Sequence, residues 1–313
     1  MDARDKPGHD IVEAPMAAGW LWIVFTLLAA AGQTARNAMQ RELTAALGTV
    51  GATHVRFLFG FPFAIVFLAG VVMTTGLALP TPPLIFWPWA VLGAGAQILA
   101  TALMLATMND RSFVVTIAYI KTEAIQAAAF GLIFLGDSLT LGMVVAILVA
   151  TGGVIAMSLK GKGAMEGGYR PIVLGLFSAA MFALSAVGYR GATLSLGLPG
   201  FLMAATFTLA VSLILQAAVL TLYLALRDRA VLIAIARAWR PSLFAGFMGA
   251  TASQFWFLAF TITSVANVRT LALVEVLFAQ GISYFVFKQK TTQREAIGMA
   301  LIVAGVALLI WVQ

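Results

Sequence analysis

The sequence predicts an all-helical polytopic membrane protein: ten transmembrane helices arranged as two inverted five-helix repeats. Three observations carry that expectation. Of 313 residues, 62% are apolar and only 10% are charged, whereas soluble domains average roughly 45–50% apolar and about 25% charged. Ten continuous apolar stretches are long enough to cross a bilayer, which takes about 20 residues. Finally, the second half of the chain repeats polar and small residues of the first at a fixed offset.

The stretches run over 17–38, 49–76, 84–107, 112–136, 140–159, 171–190, 199–226, 241–261, 264–287 and 294–312. They are continuously apolar, which excludes the alternation of a transmembrane barrel strand. Short breakers separate them: Leu79 to Pro83, Asn109-Asp110-Arg111, Gly161 to Gly168, and Leu198-Pro199-Gly200. None of these holds a soluble domain. The organisation is a polar tail over 1–16, a first half over 17–160 and a second over 171–313, together one membrane domain. The tail is net acidic, so the first apolar stretch is read as a retained helix and not as a signal peptide. The basic, amphipathic segment from Arg227 to Arg240 suits the membrane interface.

Basic residues give an orientation. Of 19 Lys and Arg, three fall inside the predicted spans and away from their ends: Arg56, Lys121 and Arg269. Loops after odd-numbered spans hold 13, starting with Arg36, and the opposite side holds Arg4, Lys6 and Arg190. Lys and Arg mark the cytoplasmic face, so this split places both termini outside.

An offset of 152 aligns Ala100 with Ala252, Ser112 with Ser264, Glu123 with Glu275, Ala127 with Ala279, Thr140 with Thr292 and Gly153 with Gly305. An offset of 156 brings Gly19 onto Gly175 and Gly32 onto Gly188. The paired glutamates weigh most, because carboxylates inside spans are rare. Five spans per half means that the halves run in opposite directions, a plan of secondary transporters with the site near the midplane.

On these residues the chain resembles the drug/metabolite transporter superfamily, EamA type. The likeness is carried by Leu135-Gly136-Asp137-Ser138-Leu139-Thr140, then Ala146 and Gly153, with counterparts at Gln289 to Thr292, Gly298 and Gly305. It departs from the family at Gln289, where an acid is common, and at Glu123 and Glu275, where a proline is often found. The resemblance is greatest to the amino-acid exporters. It implies an exporter of amino acids or similar metabolites working by alternating access, in a bacterial inner membrane. It also implies cytoplasmic termini, against the charge count.

The candidate solute-binding or coupling residues are the polar groups inside spans. Tyr119, Glu123 and Gln126 fall at i, i+4 and i+7, one stripe of a straight helix. Lys121 points away from Glu123 and needs a partner on another helix. Arg269 and Gln280 share a face, and Glu275 points elsewhere. Expected ion pairs are therefore interhelical: Glu123 or Glu275 with Lys121, Arg269 or Arg56. Such pairs bind a zwitterion or a coupling proton, or else they fix the two halves together. Arg56 is near enough to a span end to snorkel. Gln97, with Thr101 on the same face, Gln254 and the deeply placed Trp256 complete the set. Gln33, Asn37, Tyr189, Gln216 and Ser253 are further polar positions. Trp20, Trp22, Trp87, Trp89, Trp239 and Trp311 suit interfacial anchoring. Ala245, Gly249 and Ser253 on one helix, and Gly153 and Gly305 on two others, suit close helix packing.

The absences narrow the class. There is no cysteine, and His9 and His54 are the only histidines. No GxxxxGK[ST] phosphate loop or HExxH zinc site is present. The expectation is a carrier and not an enzyme, with no catalytic residues, no metal and no cofactor beyond a coupling proton. Its partners are a small-molecule solute and membrane lipid, not nucleic acid, and the chain is expected to act as a monomer. The alternatives are a passive facilitator or exchanger of the same fold and, third, an intramembrane enzyme.

Overall fold

In lipid, a backbone must satisfy its own hydrogen bonds, and the apolar stretches form helices accordingly. The structure is a computed structural model that describes residues 19–110, 113–158, 169–285 and 292–312. The polar tail, Ser112, the segment from Gly161 to Gly168 and Gln289 lie outside the described residues.

The first half comprises α1 (Leu21–Leu58), α2 (Phe61–Thr75), α3 (Phe86–Asp110), α4 (Phe113–Ile120), α5 (Glu123–Phe130), continued by a π-helical turn over Gly131–Leu135, and α6 (Leu141–Ser158). The second comprises α7 (Arg170–Ser195), α8 (Phe201–Arg227), α9 (Arg229–Arg237), α10 (Trp239–Ile262), α11 (Val265–Leu271), a 3-10 turn over Ala272–Val274, α12 (Glu275–Phe285) and α13 (Gln293–Trp311). Among the described residues, seven helical stretches are long and apolar enough to cross a membrane: Met39–Thr75, Phe86–Asp110, Val115–Leu135, Arg170–Ser195, Phe201–Arg227, Trp239–Ile262 and Gln293–Trp311. Leu141–Met157 is apolar but shorter. The chain is therefore an integral membrane protein by the length and composition of its helices.

The first connection differs from expectation. No loop opens after residue 38; α1 continues to Leu58 and is interrupted only at Gly48, with φ 67° and ψ 173°. A left-handed φ of that kind is open to glycine and strained for other residues. Arg36 is consequently not a loop residue but lies inside α1 at 1% exposure. Arg190, counted with the opposite loops, lies within α7.

Three pairings build the bundle: α3 with α7, α1 with α10, and α6 with α13. Each places small residues in contact. A Cβ on Gly188 of α7 would come within 2.7 Å of the Gly93 nitrogen on α3, and one on Gly32 of α1 within 3.1 Å of the Ala252 Cβ on α10. In the third pair, Gly153 of α6 and Gly305 of α13 face the opposing backbone, as their packing role predicts. A Cβ on Gly153 would meet the Gly298 carbonyl oxygen at 2.6 Å and the Ile302 nitrogen at 2.9 Å. Both obstacles are backbone, so Gly153→Val is expected to destabilise by about 1–3 kcal/mol through overpacking. Gly152→Val, with nothing within 4 Å of its Cβ position, is the control. Thermal unfolding of the two variants measures the difference.

Asp228 caps α9 by accepting from the Val231 N–H at 3.4 Å, and the helix buries Ile235. Trp20, Trp87, Trp239 and Trp311 are exposed as expected of anchors, but Trp22 is in the core at 4% exposure. Trp89 packs against Gly191 of α7, where a Cβ would strike its indole. Both therefore leave the set of interfacial anchors.

Candidate functional site

The two chain segments carrying Glu123 and Glu275 are both broken in mid-course. After α4, the backbone tightens to i→i+3 hydrogen bonds: Thr122 N donates to the Tyr119 oxygen at 3.3 Å and Ile125 N to the Thr122 oxygen at 3.2 Å. The Thr122 hydroxyl also donates to the Tyr119 carbonyl at 2.7 Å, drawing that acceptor away from the helical ladder. Between α11 and α12 the 3-10 turn plays the same part. Each break ends at a glutamate: Glu123 opens α5 and Glu275 opens α12. A carboxylate in the first turn is stabilised by the helix dipole.

The two carboxylates pair crosswise with cations of the opposite broken segment. Lys121 Nζ lies 2.5 Å from Glu275 Oε2, and Arg269 Nη1 lies 3.4 Å from Glu123 Oε1. All four side chains are nearly fully buried. The expected interhelical pairing is thus present, and Lys121 does not pair with Glu123. The breaks also correct two stripes. Tyr119, Glu123 and Gln126 do not lie on one continuous helix, and neither do Arg269 and Gln280. Tyr119 packs against Gly175, where a Cβ would touch its ring.

Arg56 does not snorkel; it is buried at 5% exposure. Its Nη1 donates to Thr101 Oγ1 at 3.2 Å and its Nη2 to Ser253 Oγ at 3.4 Å. With the Gln97 amide oriented to satisfy both neighbours, its oxygen accepts from Arg56 at 2.9 and 3.2 Å while its nitrogen donates to Ser185 Oγ at 2.8 Å. Thr101 and Ser253 are the positions that the 152-residue offset aligns.

Two narrow cavities lie among these groups, of about 20 and 10 Å³. A cavity needs roughly 10–15 Å³ to admit one water molecule, so each of these two has room for about one water and not for an organic solute. The first is lined by Arg56, Gln97, Tyr189, Gln216, Trp256 and Arg269, among others. The second is lined by Arg36, Asn37, Lys121, Glu123 and Glu275, among others. Gln33 and Phe182 border both. Gln33 accepts from Trp256 Nε1 at 3.1 Å and donates to Glu275 Oε2 at 3.5 Å. Trp256 stacks on Phe260 at 5.9 Å, and the Arg269 guanidinium lies over both rings, at 4.8 and 5.1 Å. Tyr189 accepts from Gln216 Nε2 at 2.9 Å. Gln254 and Gln280 line neither cavity; Gln254 donates to Thr206 Oγ1 at 2.8 Å.

Arg36, expected in a loop, is the cation that the structure adds to this centre. Its Nη2 donates to Asn37 Oδ1 at 2.8 Å. It raises the buried cations facing the cavities to four, against two carboxylates. Among the described residues, no group of His, Cys, Asp and Glu is arranged to hold a metal ion.

At one end of the bundle, Asp137 follows the π-helical turn and lies 3.6 Å from Arg190. Arg190 also donates to the Phe260 carbonyl at 2.6 Å and to the Thr263 carbonyl. It thereby caps the C-terminus of α10, a favoured place for a cation.

No family model and no curated protein matches the chain. Among solved structures, 29 chains are similar to it. One, named no further than "Crystal structure of protein", superposes with a TM-score of 0.70 at 15% identity, over 96% of this chain and 100% of that one. A likeness at that identity speaks to the fold alone.

Proposed function

We propose that the chain is a secondary active transporter of small organic solutes, amino acids or similar metabolites, of the drug/metabolite transporter type in a bacterial inner membrane. The observation that carries the reading is the pair of broken helices joined crosswise by buried ion pairs around a polar centre. Broken helices at the midplane are a recurrent way for carriers to present backbone and charge to a solute.

The reading includes ten spans in two inverted halves, and three features support it. The break at residues 121–122 and the turn at 272–274 fall on one another at the 152-residue offset. If the halves are exchanged, the packing of α3 on α7 becomes that of α10 on α1, and α6 on α13 maps onto itself. Thr101 and Ser253, aligned by the same offset, hold the same arginine. Two halves of similar build, with a closed site between them, suit alternating access by rocking of one half on the other.

The test is flux in proteoliposomes. Radiolabelled solute outside is expected to accumulate faster when unlabelled solute is loaded inside, because a carrier is driven through its cycle by exchange. Influx that does not depend on the internal solute points to a channel-like facilitator instead.

A further inference from the structure

The buried charges around the centre do not cancel. Lys121 and Arg269 take the two carboxylates, Glu275 and Glu123. Among the described residues neither Arg36 nor Arg56 forms a direct ion pair, although Glu123 and Glu275 border the same cavity as Arg36. Arg36 is 1% exposed, and its Nε and Nη1 have no hydrogen-bond partner. Arg56 is 5% exposed, is held only by neutral oxygens and the face of Phe57 at 5.2 Å, and leaves its Nε without a partner. The two side chains run side by side past Gly249: a Cβ there would meet Arg56 Cγ at 3.3 Å and Arg36 Cδ at 3.4 Å. Guanidinium groups stay protonated in proteins. Two buried cations in excess of the carboxylates are strongly unfavourable, and they present unused donors in the fork geometry that matches carboxylate and phosphate oxygens.

We propose that Arg36 and Arg56 bind the oxyanion head, carboxylate or phosphate, of an organic solute with net negative charge. Its apolar part would lie against Trp256, Phe257 and Phe260 on the wall of the first cavity. Arg36 borders one cavity and Arg56 the other, so the head reaches both once Gln33 and Phe182, which border both, give way. Within the proposed solute class this favours acidic metabolites over neutral amino acids, because a zwitterion fits less well. Its ammonium would enter a region with two cations in excess, while both carboxylates are already engaged. The assignment rests on the transporter reading for its purpose but not for its chemistry.

The experiment uses the purified full-length chain and five probes that share a phenyl ring and differ in charge: phenylsuccinate, phenyl phosphate, phenylacetamide, phenethylamine and L-phenylalanine. One or both anions are expected to raise the unfolding temperature in a saturable way, and the neutral, cationic and zwitterionic probes are not. Arg36→Gln and Arg56→Gln are each expected to weaken anion binding by about tenfold or more, the worth of a lost charged hydrogen bond. The same variants, free of ligand, are expected to melt no lower than the parent, because each removes an uncompensated charge. Arg56→Lys, which keeps the charge but not the fork, is expected to bind with intermediate affinity. The proposal is overturned if neither anion binds, if phenylacetamide or phenethylamine binds as well, or if the arginine variants bind normally or lose the fold. Counterflow with the same probes separates the two readings. Anion binding without flux leaves the anion site and removes the transporter; flux of phenethylamine or L-phenylalanine without anion binding does the reverse.

Discussion

Glu275→Gln is expected to lower the stability of the protein by roughly 3–5 kcal/mol, the range for breaking a buried ion pair by removing one partner. Lys121 Nζ, 2.5 Å from Glu275 Oε2 on a side chain 2% exposed, would face a neutral amide in a region already rich in cations. Gln33 would also lose its acceptor on the carboxylate. The loss is due to the stranded cation and not to the pair's own worth. Replacing both partners, as Lys121→Met with Glu275→Met, is therefore expected to recover most of it, since apolar replacements of buried pairs are often neutral or stabilising. Unfolding of the parent, the single and the double variant in one detergent measures this. A double variant as unstable as the single one would show that some other contact of Glu275 matters more.

Much of this centre was legible in the sequence because charge inside an apolar stretch has few explanations. Arg56, Lys121, Glu123, Arg269 and Glu275 stand out against their neighbours, and helix geometry alone separates Lys121 from Glu123. That separation calls for pairing between helices; which carboxylate takes which of Lys121, Arg269 and Arg56 is open in the sequence, and the structure supplies the crosswise choice. The helix breaks were not legible. Residues 121–122 and 272–274 contain neither proline nor glycine, so the straight-helix angles applied to Tyr119 and Gln126, or to Arg269 and Gln280, do not hold across them. Arg36 was hidden for a different reason. The polar cluster from Gln33 to Glu42 resembles the end of a span, yet α1 runs through it. The helix runs on because part of the cluster is taken up inside the bundle, where Arg36 Nη2 donates to Asn37 Oδ1 at 2.8 Å and Gln40 Nε2 to the Ala52 carbonyl at 3.1 Å, while Arg41 and Glu42 stay exposed. A signal was present. Gln33, Arg36, Asn37 and Gln40 fall at i, i+3, i+4 and i+7, one face of a helix, whereas a loop shows no such period. Trp22 suits an anchor only by its place near a span end, which says nothing of the face it occupies, and that face is the core.

Glu123→Gln is expected to reduce pH-gradient-driven solute accumulation to the level of protein-free liposomes, while counterflow at equal pH continues. The two ion pairs differ in a way that singles out Glu123. Lys121 and Glu275 are in short contact, and among the described residues Lys121 has no aromatic face in support, so in the proposed cycle this is the pair to keep intact. Arg269 stands farther from Glu123, at 3.4 Å, and rests on the faces of Trp256 and Phe260. Cation–π contact of that kind is worth about 2 kcal/mol or more when desolvated. Arg269 therefore keeps a favourable site when Glu123 is made neutral, whereas Lys121 does not when Glu275 is. The variant amide mimics the protonated form, so its unfolding temperature is expected to fall less than that of Glu275→Gln. Flux is measured in proteoliposomes with and without an imposed pH gradient. Unchanged pH dependence in Glu123→Gln would remove this residue as the coupling group. If Glu275→Gln also transports with normal pH dependence, neither acid carries the proton, and the cycle is that of an exchanger driven by its solute gradients alone.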